Sequence, residues 1–379
     1  MKAFEKIDKI FDLLPLMEKC SSFQIGESGV LITSGGFEDR ALAAAQTATT
    51  NTNADALVLD YKPKNERNRT KKVVETLVNN GFKVEEYNIL EFNRFNPETF
   101  PKVLQKRLAE INAKNVIIDI SAMSKLSILL CMNICWEMNL NTSVFYAEAL
   151  EKGPNQDDYI KAKADNNLQQ PSIQIFTGIY GVVRIGCLSS VAMQGQPSAA
   201  IVFMSFNEVL TQSLLNAVYP SRLFLINSYS PHWEWREEAT AWIHEQLQSE
   251  WQESDNPINR KSISGVPLPK RSVSTLHYME TVRVLLELYW NLSIDHRILL
   301  APTGSKMETV GCFIVKTLHP DIHIEYPTPE GFLDTYSRGI GDKWLIEFGV
   351  LKDKMNTLQD LERKLILGID VSDVSGAIS

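Results

Sequence analysis

Two Ser-Lys pairs, Ser124-Lys125 and Ser305-Lys306, each follow an apolar run and a turn of small residues. The first unit reads Val116-Ile117-Ile118-Asp119-Ile120-Ser121-Ala122-Met123-Ser124-Lys125, and the second Ile298-Leu299-Leu300-Ala301-Pro302-Thr303-Gly304-Ser305-Lys306-Met307. The two serines stand 181 residues apart. A buried strand that ends in a small polar turn and opens a helix brings free backbone N–H groups, a hydroxyl and an ammonium to one point. That combination suits an anion such as phosphate. A lysine at a helix start is opposed by the macrodipole, so Lys125 and Lys306 need an anionic partner: a ligand phosphate, or an interior carboxylate such as Asp119. A third turn, Ser34-Gly35-Gly36, tolerates positive φ and close backbone approach, and adds a candidate anion nest.

Other chemistries are less well served. Consecutive side chains on a helix point about 100° apart, so a Ser-Lys nucleophile and base would not touch. Neither G-x-G-x-x-G nor G-x-x-x-x-G-K-S/T is complete, so no NAD or P-loop ATP cofactor is expected. The six histidines lack metal-ligand spacing, and no metal is expected. If the chain is an enzyme, Asp119 and Lys125 are its catalytic candidates. Tyr326 and Arg338 flank a turn-rich aromatic segment, Glu325 to Gly341, whose rings and guanidinium suit a nucleobase.

The elements that must position these residues alternate. Apolar runs predict strands at Gly29–Thr33, Ala56–Asp60, Phe82–Tyr87, Val116–Ile120 and Thr142–Tyr146, with helices between them, including the long apolar helix Lys125–Met138. A second series follows: strands at Ala200–Met204, Arg222–Ile226, Ile298–Ala301 and Asp321–Tyr326, with helices at Glu208–Val218, Trp235–Trp251, Tyr278–Asn291 and from Lys306. Such alternation means α/β, with doubly wound, mostly parallel sheets. Val30–Ser34 matches Ile201–Ser205 at a shift of 171, and Leu57–Asp60 matches Phe224–Asn227 at 167. The expectation is therefore two tandem Rossmann-like lobes related by internal duplication.

The boundaries expected are 1–22 for an amphipathic N-terminal helix, 23–152 for the first lobe and 153–198 for a linker or excursion. Residues 199–349 form the second lobe, with a mobile loop at 249–275, and 350–379 form a C-terminal helix and tail.

With 379 residues, 44% hydrophobic and 22% charged, the chain can build two cores. A net charge of −8 argues against coating long nucleic acid, which needs many cationic contacts to phosphates. Five scattered cysteines without a C-x-x-C pair fit cytosolic thiols, and no apolar stretch reaches membrane-span length, so a soluble cytoplasmic protein is expected.

The turn Thr33-Ser34-Gly35-Gly36, with Ser121 to Lys125 and Thr303 to Met307, resembles the ligand motifs of the CARF and SAVED families, Rossmann-like sensor domains of anti-phage systems. Two such halves in one chain are similar to a SAVED domain. The resemblance implies binding of a nucleotide-type ligand, such as a cyclic oligonucleotide, between the halves; the family's attached effector is not evident, so output is expected through a separate protein effector partner or through degradation of the ligand, and a homo-oligomer is among the expected partners. It implies phosphate contacts from Ser34, Gly35, Gly36, Ser124, Lys125, Thr303, Gly304, Ser305 and Lys306, with Tyr326 and Arg338 nearby. This chain departs from the pattern where Ala122-Met123 stands in place of paired glycines, and Met204-Ser205-Phe206 lacks a glycine. A nucleotide- or phosphodiester-cleaving enzyme at the same crevice, and a structural subunit of a defence complex, are the alternatives.

Overall fold

The computed structural model describes residues 8–168, 170–245, 247, 249, 272–333 and 336–367. Its larger sheet has seven strands, in spatial order Glu18–Lys19, Lys343–Val350, Asn141–Ala147, Asn115–Asp119, Gly29–Ser34, Asp55–Lys62 and Ile89–Asn93. The last five run parallel. The second sheet has five parallel strands: Ser272–Ser274, Arg222–Tyr229, Ser198–Phe203, Arg297–Ala301 and His323–Ile324. Numbered along the chain within each lobe, the parallel strands of both sheets lie in the order third, second, first, fourth, fifth. That order reverses between the first and fourth strands, so each lobe opens a crevice beyond the carboxyl ends of that pair. The Ser-Lys turns follow the fourth strands.

Two central helices join the lobes. Helix Lys125–Glu137 has no polar face, and a helix of that kind has to be buried; Leu126 through Cys135 are all enclosed. Helix Lys306–Leu318 is buried along its whole length, and the two pack together. They share one apolar core with Val30 and Ile118 of the first sheet and Ile201 and Leu300 of the second. The opposite face of the first sheet is covered by the alanine-rich helix Ala43–Thr47 and by Thr70–Asn79. Helix Glu208–Val218 covers that of the second sheet.

Several elements differ from expectation. Phe82–Tyr87 is not a strand; Lys83 makes one isolated bridge to Asp55, and the edge strand is Ile89–Asn93, whose alternating exposure marks a strand wet on one face. The excursion 153–198 holds a helix, Gln156–Ala164, and a strand, Phe176–Val183. That strand pairs antiparallel with Tyr326–Phe332, which sequence reads as a turn-rich loop. Pro327 and Pro329 are tolerated there because a two-stranded ribbon leaves each strand a free edge that needs no N–H donor. Lys343–Val350, inside the expected second lobe, pairs with Asn141–Ala147 of the first. The N-terminal helix is shorter than expected: within the described residues it spans Asp8–Phe11, and Glu18–Lys19 is instead a strand paired with Lys343–Val350; the C-terminal segment forms helix Leu351–Ile366. Residues 1–7, most of the loop 249–275 and the tail from 368 lie outside the described residues. No described helix is long and apolar enough to cross a membrane.

Candidate functional site

A cavity of about 590 Å³ lies where the carboxyl edges of the two sheets meet. Gly36, Ser124 and Lys125 line it from the first lobe; Thr303, Gly304, Ser305, Lys306 and Tyr326 line it from the second. The two Ser-Lys corners therefore face one space.

Each corner is organised by a helix cap. Ser124 accepts a hydrogen bond from the Ser127 amide at 3.1 Å, while its own amide donates to Tyr61 Oη at 2.8 Å. Ser305 forms a full capping box: its hydroxyl accepts from the Glu308 amide at 3.1 Å, and its amide donates to Glu308 Oε2 at 2.6 Å. Gly304 is required there, because a Cβ would stand 1.6 Å from Glu308 Oε2. Glu308 is fully enclosed, and burial pushes its carboxyl up to about 7.

The two lysines are used differently. Lys306 Nζ donates to Glu38 Oε1 at 2.8 Å and to the Ser121 carbonyl at 2.8 Å, both from the first lobe. Glu38 Oε2 is held in turn by Arg40, at 2.6 Å, and by the Ser337 hydroxyl at 2.6 Å. Burial raises the Glu38 carboxyl, but Arg40 and Lys306 outweigh it and hold the group at about 2. With two cations around one carboxylate, burial and Arg40 draw Lys306 down to about 7. Lys125 has no hydrogen bond or ion pair among the described residues. Burial lowers it to about 8, against the pull of Glu308 and Glu38.

The remaining lining is cationic and aromatic. Seven Lys and Arg side chains line the cavity against two carboxylates, Glu38 and Glu330, in a chain whose overall charge is −8. Arg236 lies over the Phe206 ring at 4.0 Å and donates to the carbonyls of Lys152, Gly153 and Pro154, tying the lobes; burial draws it down to about 10. Arg94 donates to the Glu330 carbonyl at 2.9 Å. Beside it, Phe95 and Tyr180 stack with centroids 4.0 Å apart.

Four of the expected residues are elsewhere. Asp119 is buried and accepts from Thr33 Oγ1 at 2.7 Å and the Ser121 amide at 3.0 Å, so it braces the turn from behind. Ser34 is enclosed, and Gly35 packs on Thr70, where a Cβ would meet Oγ1 at 2.1 Å. Ser34 ends a strand inside the sheet and Gly35 follows it, and neither reaches the cavity. Arg338 lies in a two-residue strand paired with Glu151–Lys152, and faces a separate cavity of about 420 Å³. Sequence reasoning missed Glu38, Arg40, Arg94 and Arg236. The only available signal was an acid-base run, Glu38-Asp39-Arg40, directly after Gly35-Gly36. Among the described residues no group of three His, Cys, Asp or Glu side chains gathers as a metal would require.

A scan against protein-family models, a search of curated proteins and a search of solved structures each find no match for this chain.

Proposed function

We propose that the protein is a sensor of a nucleotide-type ligand, the class that includes cyclic oligonucleotides, bound in the cavity between two lobes that arose by duplication. The bound state passes to a protein partner, in keeping with the CARF and SAVED resemblance and a role in anti-phage defence. One observation carries the reading: a net-acidic chain gathers seven cationic side chains and several aromatic rings around the crevice where both switch-point corners meet. Cations match phosphates, and ring faces match bases without regard to sequence. A binding site needs this lining whether or not the ligand is cut. Of the two catalytic candidates, Asp119 is turned away from the cavity and Lys125 lines it, so the cleavage alternative loses its expected carboxylate and keeps its lysine, and turnover is the readout that separates the two.

The test is a panel of linear and cyclic oligonucleotides, with melting temperature and chromatography read on the same samples. A sensor is stabilised by about 2.7 kcal/mol at a hundredfold excess over Kd and leaves the ligand intact. Products identify an enzyme instead. No shift and no products across the panel sink the reading and leave a structural subunit.

A further inference from the structure

We infer that the cavity accepts a single phosphate, at the first-lobe corner, and that the Glu38 carboxylate holds the place a second phosphate would take at the corner of the second lobe. The inference rests on the nucleotide reading above and narrows its ligand class. The two corners share a strand, a turn, a serine cap and a lysine, so a ligand with two equivalent phosphates would be expected to engage both.

Their occupancy differs. At the second corner the Lys306 ammonium is already bound at 2.8 Å to Glu38 and at 2.8 Å to the Ser121 carbonyl, and Glu38 is itself gripped by Arg40 and Ser337. A phosphate arriving there meets an anion and must displace it from two cations, leaving a carboxylate stranded in a buried setting. At the first corner Lys125 lines the same space and has no ion pair or hydrogen bond among the described residues. Arg236 and Arg94 do not offer a ready second site, because their guanidiniums are engaged with backbone carbonyls; Lys152 lies over the Trp233 ring and Lys64 is exposed, and neither belongs to a Ser-Lys corner. The protein thus supplies one of the two anions itself. Phe37, Phe95, Tyr180, Phe206 and Trp233 supply the aromatic lining against which bases could stack.

Calorimetric titration of the full chain with two ligands of equal base content decides this: linear ApA, with one phosphodiester, and cyclic diadenylate, with two, alongside the guanine pair. The wild-type protein is expected to bind the linear and ring forms within about threefold of each other. Lys125→Ala is expected to weaken both on the order of 10- to 100-fold, the scale of a lost charged hydrogen bond. Glu38→Gln, with its fold checked by melting, is expected to favour the two-phosphate ring over the linear form by about tenfold relative to wild type. A ring that already binds wild type more than about tenfold tighter than ApA overturns the inference. So does binding that Lys125→Ala, with its fold checked by melting, leaves unchanged. If neither ligand pair binds, the nucleotide reading itself falls, which is a separate outcome.

Discussion

Replacing Lys306 with methionine removes one arm of the buried cluster between the lobes while keeping most of the side chain's volume. The substitution breaks the 2.8 Å bond to Glu38 and the 2.8 Å bond to the Ser121 carbonyl. Removing one member of a buried ion pair costs about 3–5 kcal/mol, because its partner stays buried and charged. Glu38 is not abandoned here, since Arg40 at 2.6 Å and Ser337 at 2.6 Å still hold it, which places the loss near about 3 kcal/mol. At about 1–2 °C per kcal/mol for a chain of 379 residues, melting should fall by about 3–6 °C. The assay is urea unfolding of wild type, Lys306→Met, Glu38→Gln and the double variant as a cycle. A coupling of at least about 1 kcal/mol between the two sites is expected. A single-site loss below about 1 kcal/mol, with additive effects in the double variant, would refute the reasoning and return Lys306 to the ligand.

Three further outcomes follow from the same geometry. Lys125 titrates near 8, and a phosphodiester needs its charged form, so affinity should be full below about pH 8 and fall as pH rises through it; Lys125→Ala should erase that limb in calorimetry. Glu308 is raised to about 7, so its contribution to stability is fully present below its ordinary value of 4.5 and is lost as pH rises through about 7, an effect on the order of 3 kcal/mol. Glu308→Gln should flatten the melting profile between those limits, and an unchanged slope would count against its burial. Gly35→Ala and Gly36→Ala should both destabilise, the first by driving a Cβ into Thr70 and the second by meeting the Ala122 carbonyl at 2.8 Å. Only Gly36 lines the cavity, so among folded variants a loss of affinity beyond the loss of stability should be confined to Gly36→Ala.

The parallel strands and central helices were legible because their signals are local. Helix Glu208–Val218 begins and ends where its pattern does, and the run after Lys125, apolar but for Ser127 and Asn133 up to Trp136, reads as a buried helix. The convergence of the two Ser-Lys corners was also readable, since each follows a fourth strand and strand order places such turns at a switch point. The division of labour between them was not. Lys306 is engaged by Glu38, 268 positions earlier, and nothing near either residue records that pairing. Arg236 read as an ordinary helix residue, because its partners are carbonyls at 152–154, in a segment whose own structure was hidden by its polar composition. Strands that pair antiparallel across the molecule, Phe176–Val183 and Lys343–Val350, escaped for the same reason: their partners are distant and their sequences carry glycines, which usually mark turns.

The return of Lys343–Val350 to the first sheet couples the lobes in time as well as in space. Until that segment leaves the ribosome, Asn141–Ala147 is a bare edge with unpaired backbone groups, and helix Leu351–Ile366 has not yet supplied Leu351, Met355 and Leu358 to the common interior. The half that is synthesised first is therefore finished last. A lobe grafted from a related protein would have to bring this strand and helix with it, so the natural unit of exchange is the whole sandwich.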